Sequence, residues 1–126
     1  MSNQNAAQET VFACDMYALT PEQREHHGSA SKELFADVSK VRETPDGYAF
    51  RLPAKSSTLV RVADFITYER LCCPFFAFNV EVEPRGGAIW IGLSGTEGAK
   101  AFIVAALGWL LKDDVAIAAA FKPVAT

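Results

Sequence analysis

The sequence predicts an α+β domain: a four-stranded antiparallel sheet built from two β-hairpins, with helices on one face, in the order α-ββ-α-ββ-α. Three observations predict it. Tyr48, Phe50 and Leu52, and again Phe76, Phe78, Val80 and Val82, alternate with other residues as half-buried strands do. Each run neighbours a second strand across a glycine-containing turn, Pro45-Asp46-Gly47 in one case and Pro84-Arg85-Gly86-Gly87 in the other. Helical periodicity precedes, separates and follows the two hairpins. With 126 residues, half of them hydrophobic and 21% charged, the chain is large enough for one buried core and too apolar for a disordered polymer.

Residues 1–10 read as a loose polar tail and residues 11–126 as a single domain. Val11 to Leu19, which holds Cys14, is an edge strand or an ordered extended segment. Thr20 then caps a helix, with Pro21 at its first position and Gln23 completing a capping box. That helix runs to Phe35 or Ala36. Its apolar stripe is thin, which places it on the outside. Val38 to Glu43 alternates poorly, so a bulge or a late strand start is expected there. A second helix begins after Ser56 or Ser57, both good caps. At about 100° per residue, Leu59, Val62, Ala63, Ile66, Arg70 and Cys73 share one face. Pro74 ends it at or just before Cys73. After the second hairpin, whose return strand carries Ile89, Ile91 and Leu93, a third helix starts near Ser94 to Thr96. It presents Ala99, Phe102, Ile103, Leu107, Leu110 and Leu111. Val115 to Phe121 is a short final helix or an extended tail.

Composition narrows the function. The net charge is −3 with no basic cluster, which argues against nucleic acid, whose binding rests on Lys and Arg neutralising phosphates. Met1 to Thr10 lacks the basic and apolar regions of a signal peptide. The longest apolar run, Ala101 to Leu111, is too short to span a bilayer. No membrane partner and a cytoplasmic location are therefore expected. Three cysteines, an odd number, fit reduced thiols better than a disulfide framework. The apolar surfaces of the third helix and of the Trp90 side predict a homodimer; the plainer alternative is that they are core.

Chemistry concentrates in Glu69-Arg70-Leu71-Cys72-Cys73-Pro74-Phe75-Phe76. Adjacent cysteines do not readily bond to each other, but both can face one ion, with Cys14 as a third thiolate. Three sulfurs suit soft or borderline ions: zinc, copper(I), mercury or arsenite. The spacing matches no standard zinc signature, and a buried cysteine often packs as a small hydrophobe. Arg70 favours a thiolate while the helix C-terminus opposes one. Glu69 is a candidate proton acceptor, and Arg70 and Arg51 are candidate supporting cations; the plain reading of each is ion pairing, for Arg70 with Glu69, Glu81 or Asp15. Adjacent His26 and His27 diverge on a helix, cannot easily share one metal, and read as a solvated face.

The Glu69-Arg70-x-Cys72-Cys73-Pro74-Phe75 stretch resembles a small bacterial family of stand-alone domains with an E-R-x-C-C-P-F motif between a helix and a Phe-rich strand. Cys14 ahead of Leu19-Thr20-Pro21-Glu22-Gln23, and the Tyr48 to Leu52 strand with Arg51, are similar to that family too. The likeness covers about residues 12–110. It implies that Cys14, Cys72 and Cys73 act together, in a setting associated with metal-resistance genes, and it names no substrate.

The sequence thus leads first to a small thiol protein that binds a soft metal or metalloid through Cys14, Cys72 and Cys73. This reading requires Cys14 to fold back beside the second helix, within about 10 Å of both other cysteines, because metal–sulfur bonds are only about 2.3 Å long. The alternatives are a small-ligand or protein-interaction module, with structural cysteines and a surface of Phe75, Phe76, Phe78 and Trp90, and a thiol redox protein pairing Cys14 with Cys72 or Cys73.

Overall fold

Thr20, Pro21 and Gln23 behave as a capping box should. In the computed structural model, which describes residues 13–111, the Thr20 hydroxyl accepts the Gln23 N–H (3.2 Å) and the Gln23 side chain accepts the Thr20 N–H (2.9 Å). Helix α1 (Pro21–Ala36) follows and buries only His27, Leu34 and Phe35. Upstream, the chain is extended rather than a strand, then makes a 3-10 turn at Met16–Ala18 that is capped by Asp15. Residues 1–12, including Val11, lie outside the described residues.

The two hairpins merge into one antiparallel sheet, with strands β1 (Lys40–Thr44), β2 (Gly47–Leu52), β3 (Ala77–Val82) and β4 (Ile89–Ser94) in the order β1-β2-β4-β3. The α+β architecture of the sequence reading is the one observed. Strand β1 starts late, at Lys40, and pairs without a bulge from Lys40↔Arg51 to Thr44↔Gly47. Gly47 is needed for close approach: a Cβ there would overlap the Leu93 carbonyl oxygen on β4. In the second turn Arg85 (φ 59°) and Gly86 (φ 69°) are both left-handed, which suits a tight hairpin.

Central position decides burial. Tyr48, Phe50 and Leu52 on β2, and Ile89, Ile91 and Leu93 on β4, are all buried, whereas Val80 and Val82 on edge strand β3 are 42% and 52% exposed. Trp90 takes the other side of β4. It is buried with Ala49 and Ala88, donates its indole N–H to Glu83 (3.0 Å) and lies under the Arg42 guanidinium at 4.2 Å. The Trp90 side chain is thus covered within the chain.

Helix α2 (Ser56–Cys72) stops just before Cys73-Pro74, as proline requires. Two expectations for it need correction. Its N-cap is Lys55, with no side-chain cap, and Ser56 is already helical. Its buried line is Thr58, Val62, Phe65, Glu69 and Cys72, not the one through Leu59 and Arg70. Phe65 sets this rotation. Its ring meets Phe35 at 5.4 Å and Phe78 at 6.4 Å, and an aromatic ring buries more surface than the leucine it displaces. Leu59 is left 40% exposed.

Helix α3 (Ala99–Leu107) continues as a 3-10 turn over Gly108–Leu111. Its N-cap is Gly98 in the left-handed region (φ 99°), not Ser94 or Thr96; Ser94 ends β4. Ala99, Ile103, Leu107 and Leu111 are buried as expected. Val115 to Phe121 lies outside the described residues.

Candidate functional site: a thiol cluster at the end of the second helix

The segment before α1 is fastened to the end of α2. Leu19 enters the core, the Asp15 N–H donates to the Cys72 carbonyl (2.6 Å), and the Arg24 guanidinium donates to the Met16 and Leu19 carbonyls (3.1 and 3.0 Å). These contacts bring Cys14 beside the helix end, where it forms a disulfide with Cys73 across a Cα–Cα distance of 4.6 Å and 59 residues of sequence. The expectation of three reduced thiols is corrected here. The docked segment puts two cysteines at a separation that suits a bridge, and the odd cysteine left over is Cys72.

Cys72 does not bond to its neighbour, in line with the difficulty of joining adjacent cysteines. Its Sγ lies 3.8 Å from Cys73 Sγ, 3.8 Å from Glu69 Oε1 and 3.7 Å from the Glu69 carbonyl oxygen. Glu69 and Cys72 face the same way because they are three residues apart on a helix. His27 Nε2 meets the same carboxylate oxygen, Oε1, at 2.7 Å, and the His27 ring lies over Phe65 with centroids 5.6 Å apart. One ligand atom from each of His27, Glu69 and Cys72 fits within a span of 4.8 Å, and all three residues are buried. A row of donors therefore runs inward from exposed Cys14 through Cys73, Cys72 and Glu69 to His27.

The surroundings hold the Cys72 thiol protonated. Burial pushes its pKa from the ordinary 9.0 up to about 11, and the Glu69 carboxylate adds to the rise. A metal cation reverses this logic, since it favours a coordinating thiolate. His27 Nδ1 is buried with no hydrogen-bond partner, so the ring's only polar anchor within the described structure is Glu69.

The predicted site residues divide into two groups. Cys14, Cys72, Cys73 and Glu69 come together. Arg70 is exposed and forms no ion pair among the described residues: Glu69 pairs with His27, Glu81 with Arg42, and Asp15 accepts the Tyr17 N–H. Arg51 is exposed too, on the side of β2 opposite Phe50 and Leu52. Phe75 and Phe76 pack on each other and on Phe102, and Phe78 packs on Phe76, while Trp90 sits in a separate cluster, so these four do not line one surface.

His27 is the residue that the sequence reading missed. It is 5% exposed, not part of a solvated face. The signal was present in its spacing, because His27 precedes buried Leu34 by seven residues and shares its face, whereas His26 precedes exposed Glu33 by seven.

Among the described residues no helix is long and apolar enough to cross a membrane. No family model, curated protein or solved structure matches the chain.

Proposed function

We propose that this protein binds a soft or borderline metal or metalloid ion, of the class of zinc, copper(I), mercury or arsenite, through Cys14, Cys72 and Cys73 in its reduced state. One observation carries the reading: Cys72 Sγ stands 3.8 Å from Cys73 Sγ, and Cys73 is bonded to Cys14. Sulfurs bound to one tetrahedral zinc at about 2.3 Å are themselves about 3.8 Å apart. Reduction of the bridge leaves Cys14 close, because the Asp15–Cys72 hydrogen bond and buried Leu19 still hold its segment. A reducing compartment such as the cytoplasm keeps the three thiols available. The role is sequestration, delivery or sensing.

Native mass spectrometry tests this with phosphine-reduced protein and each ion in turn. The expected result is one ion per chain, absent from the oxidised protein and from the triple Cys14→Ser, Cys72→Ser, Cys73→Ser variant. No adduct on the reduced, folded protein would overturn it.

The disulfide favours a second reading, a thiol redox protein. The bridge joins an exposed residue to a buried one, so an incoming thiolate has access at Cys14, with the Cys73 sulfur leaving into the protein. Fast, reversible reduction of the bridge by a dithiol, with no ion bound at any stage, would favour this reading over the first.

A further inference from the structure

The geometry points to a fourth ligand: on reduction, Glu69 joins Cys14, Cys72 and Cys73 to complete a four-coordinate S3O site for a zinc-like divalent cation, with His27 holding the carboxylate in place. The inference rests on the thiolate site proposed above and specifies its ion class and its remaining ligands.

Two edges of such a site are present before any ion enters. Cys72 Sγ is the shared corner, 3.8 Å from Cys73 Sγ and 3.8 Å from Glu69 Oε1. For metal–sulfur bonds of about 2.3 Å and metal–oxygen bonds of about 2.1 Å, tetrahedral edges come to about 3.8 Å between sulfurs and about 3.6 Å between sulfur and oxygen. Both observed separations fit to within a few tenths of an ångström. The His27–Glu69 distance does not. At 2.7 Å it is a hydrogen bond, shorter than the edge of about 3.4 Å that separates nitrogen and oxygen ligands on one ion. His27 therefore serves as the outer partner that fixes the carboxylate's orientation, a role that metal-binding sites fill with a hydrogen-bonded neighbour.

The ion class follows from the donor set. Three thiolates alone satisfy arsenite or mercury; a carboxylate oxygen as fourth donor selects a borderline ion with tetrahedral preference, zinc above all. Burial of Glu69 strengthens the argument, since a carboxylate in the interior needs compensation that a solvated one does not.

The chemistry balances. A phosphine attacks the Cys14–Cys73 bridge and takes the oxygen of one water to become the phosphine oxide. The two protons of that water go to the two released sulfurs. Binding the cation then sends the protons of three thiols to solvent. Closure of the bridge removes two of the four ligands, so the disulfide and the ion exclude each other.

X-ray absorption on the phosphine-reduced, zinc-loaded protein tests the assignment, beside competition titrations of Glu69→Gln and His27→Gln. The expected spectrum has three sulfurs at about 2.3 Å and one light atom at about 2.0–2.2 Å. Glu69→Gln is expected to lose that light atom, and His27→Gln to keep it while weakening zinc roughly 10–100-fold. A light scatterer retained in Glu69→Gln and lost in His27→Gln would make the histidine the ligand and overturn the inference, as would a shell of sulfur alone. Both leave the three-thiolate reading standing; zinc failing to bind the reduced wild-type protein, while arsenite or mercury binds, overturns this inference alone. Circular dichroism on each variant confirms that the comparison is made between folded proteins.

Discussion

His26 and His27 are neighbours on one helix, and each meets an acid on the next helix at nearly the same distance: His26 to Asp64 at 2.8 Å, His27 to Glu69 at 2.7 Å. Their surroundings differ. The His26 and Asp64 side chains are 52% and 32% exposed; those of His27 and Glu69 are 6% and 11% exposed. Water and salt screen the first pair and compete for its partners. The second is shielded from both: His27 has Glu69 as its polar partner among the described residues, and Glu69 Oε1 has His27 at 2.7 Å and the Cys72 thiol at 3.8 Å. Identical side-chain chemistry thus yields a surface contact in one case and, in the other, a fixed carboxylate beside a thiol.

Breaking the inner pair should give the largest effect. His27→Ala removes the 2.7 Å partner of a buried Glu69 oxygen, leaves it only the long Cys72 contact and opens a space against Phe65, and a loss of about 3 kcal/mol or more is expected. Chemical denaturation of the oxidised protein measures it. A loss below about 1 kcal/mol would show that the burial contrast does not control the energetics.

The next effect sharpens the contrast through Cys72. Its folded-state pKa is raised from 9.0 to about 11, so the folded protein keeps a proton that the unfolded chain has released across that interval. Stability from this group is complete below about pH 9 and falls as the pH rises towards 11, with a slope approaching 1.4 kcal/mol per pH unit. Cys72→Ala should remove that slope. Glu69→Gln should reduce it, since the carboxylate adds to the rise, and Asp64→Asn should leave it unchanged. Denaturation midpoints at pH 8, 9, 10 and 11 provide the check.

Breaking the outer pair should give the smallest effect. His26→Ala or Asp64→Asn is expected to change stability by less than about 1 kcal/mol, diminishing further in high salt. The same denaturation series measures it, and a loss as large as that of His27→Ala would remove the distinction between the pairs.

Much of this was readable in local pattern. Thr20-Pro21-x-Gln23 specifies a helix start whatever surrounds it, because the donors that it satisfies lie within one turn. Pro74 ends α2 by clashing with its own predecessor, which is equally local. Strand alternation predicted both hairpins, and Cys72-Cys73 marked the place where Cys14 and Glu69 are found beside them.

The remaining features depended on what packs where. The apolar positions of α2 allow two neighbouring rotations, and only Phe65 meeting Phe35 and Phe78 selects the one that buries Glu69 and turns Arg70 to water. Val80 and Val82 alternate as well as any core residues, yet strand order leaves them at an edge. Cys14 finds Cys73 across 59 residues, and His27 finds Glu69 across 42. By itself the sequence determined the α+β element order, the ends set by proline and capping box, and the place of the adjacent cysteines at the end of α2, since these follow from residues within a few positions of one another. The tertiary structure alone decided the bridge, the free thiol and the buried histidine–glutamate pair, because burial and long-range contact are properties of the packed chain rather than of any one stretch.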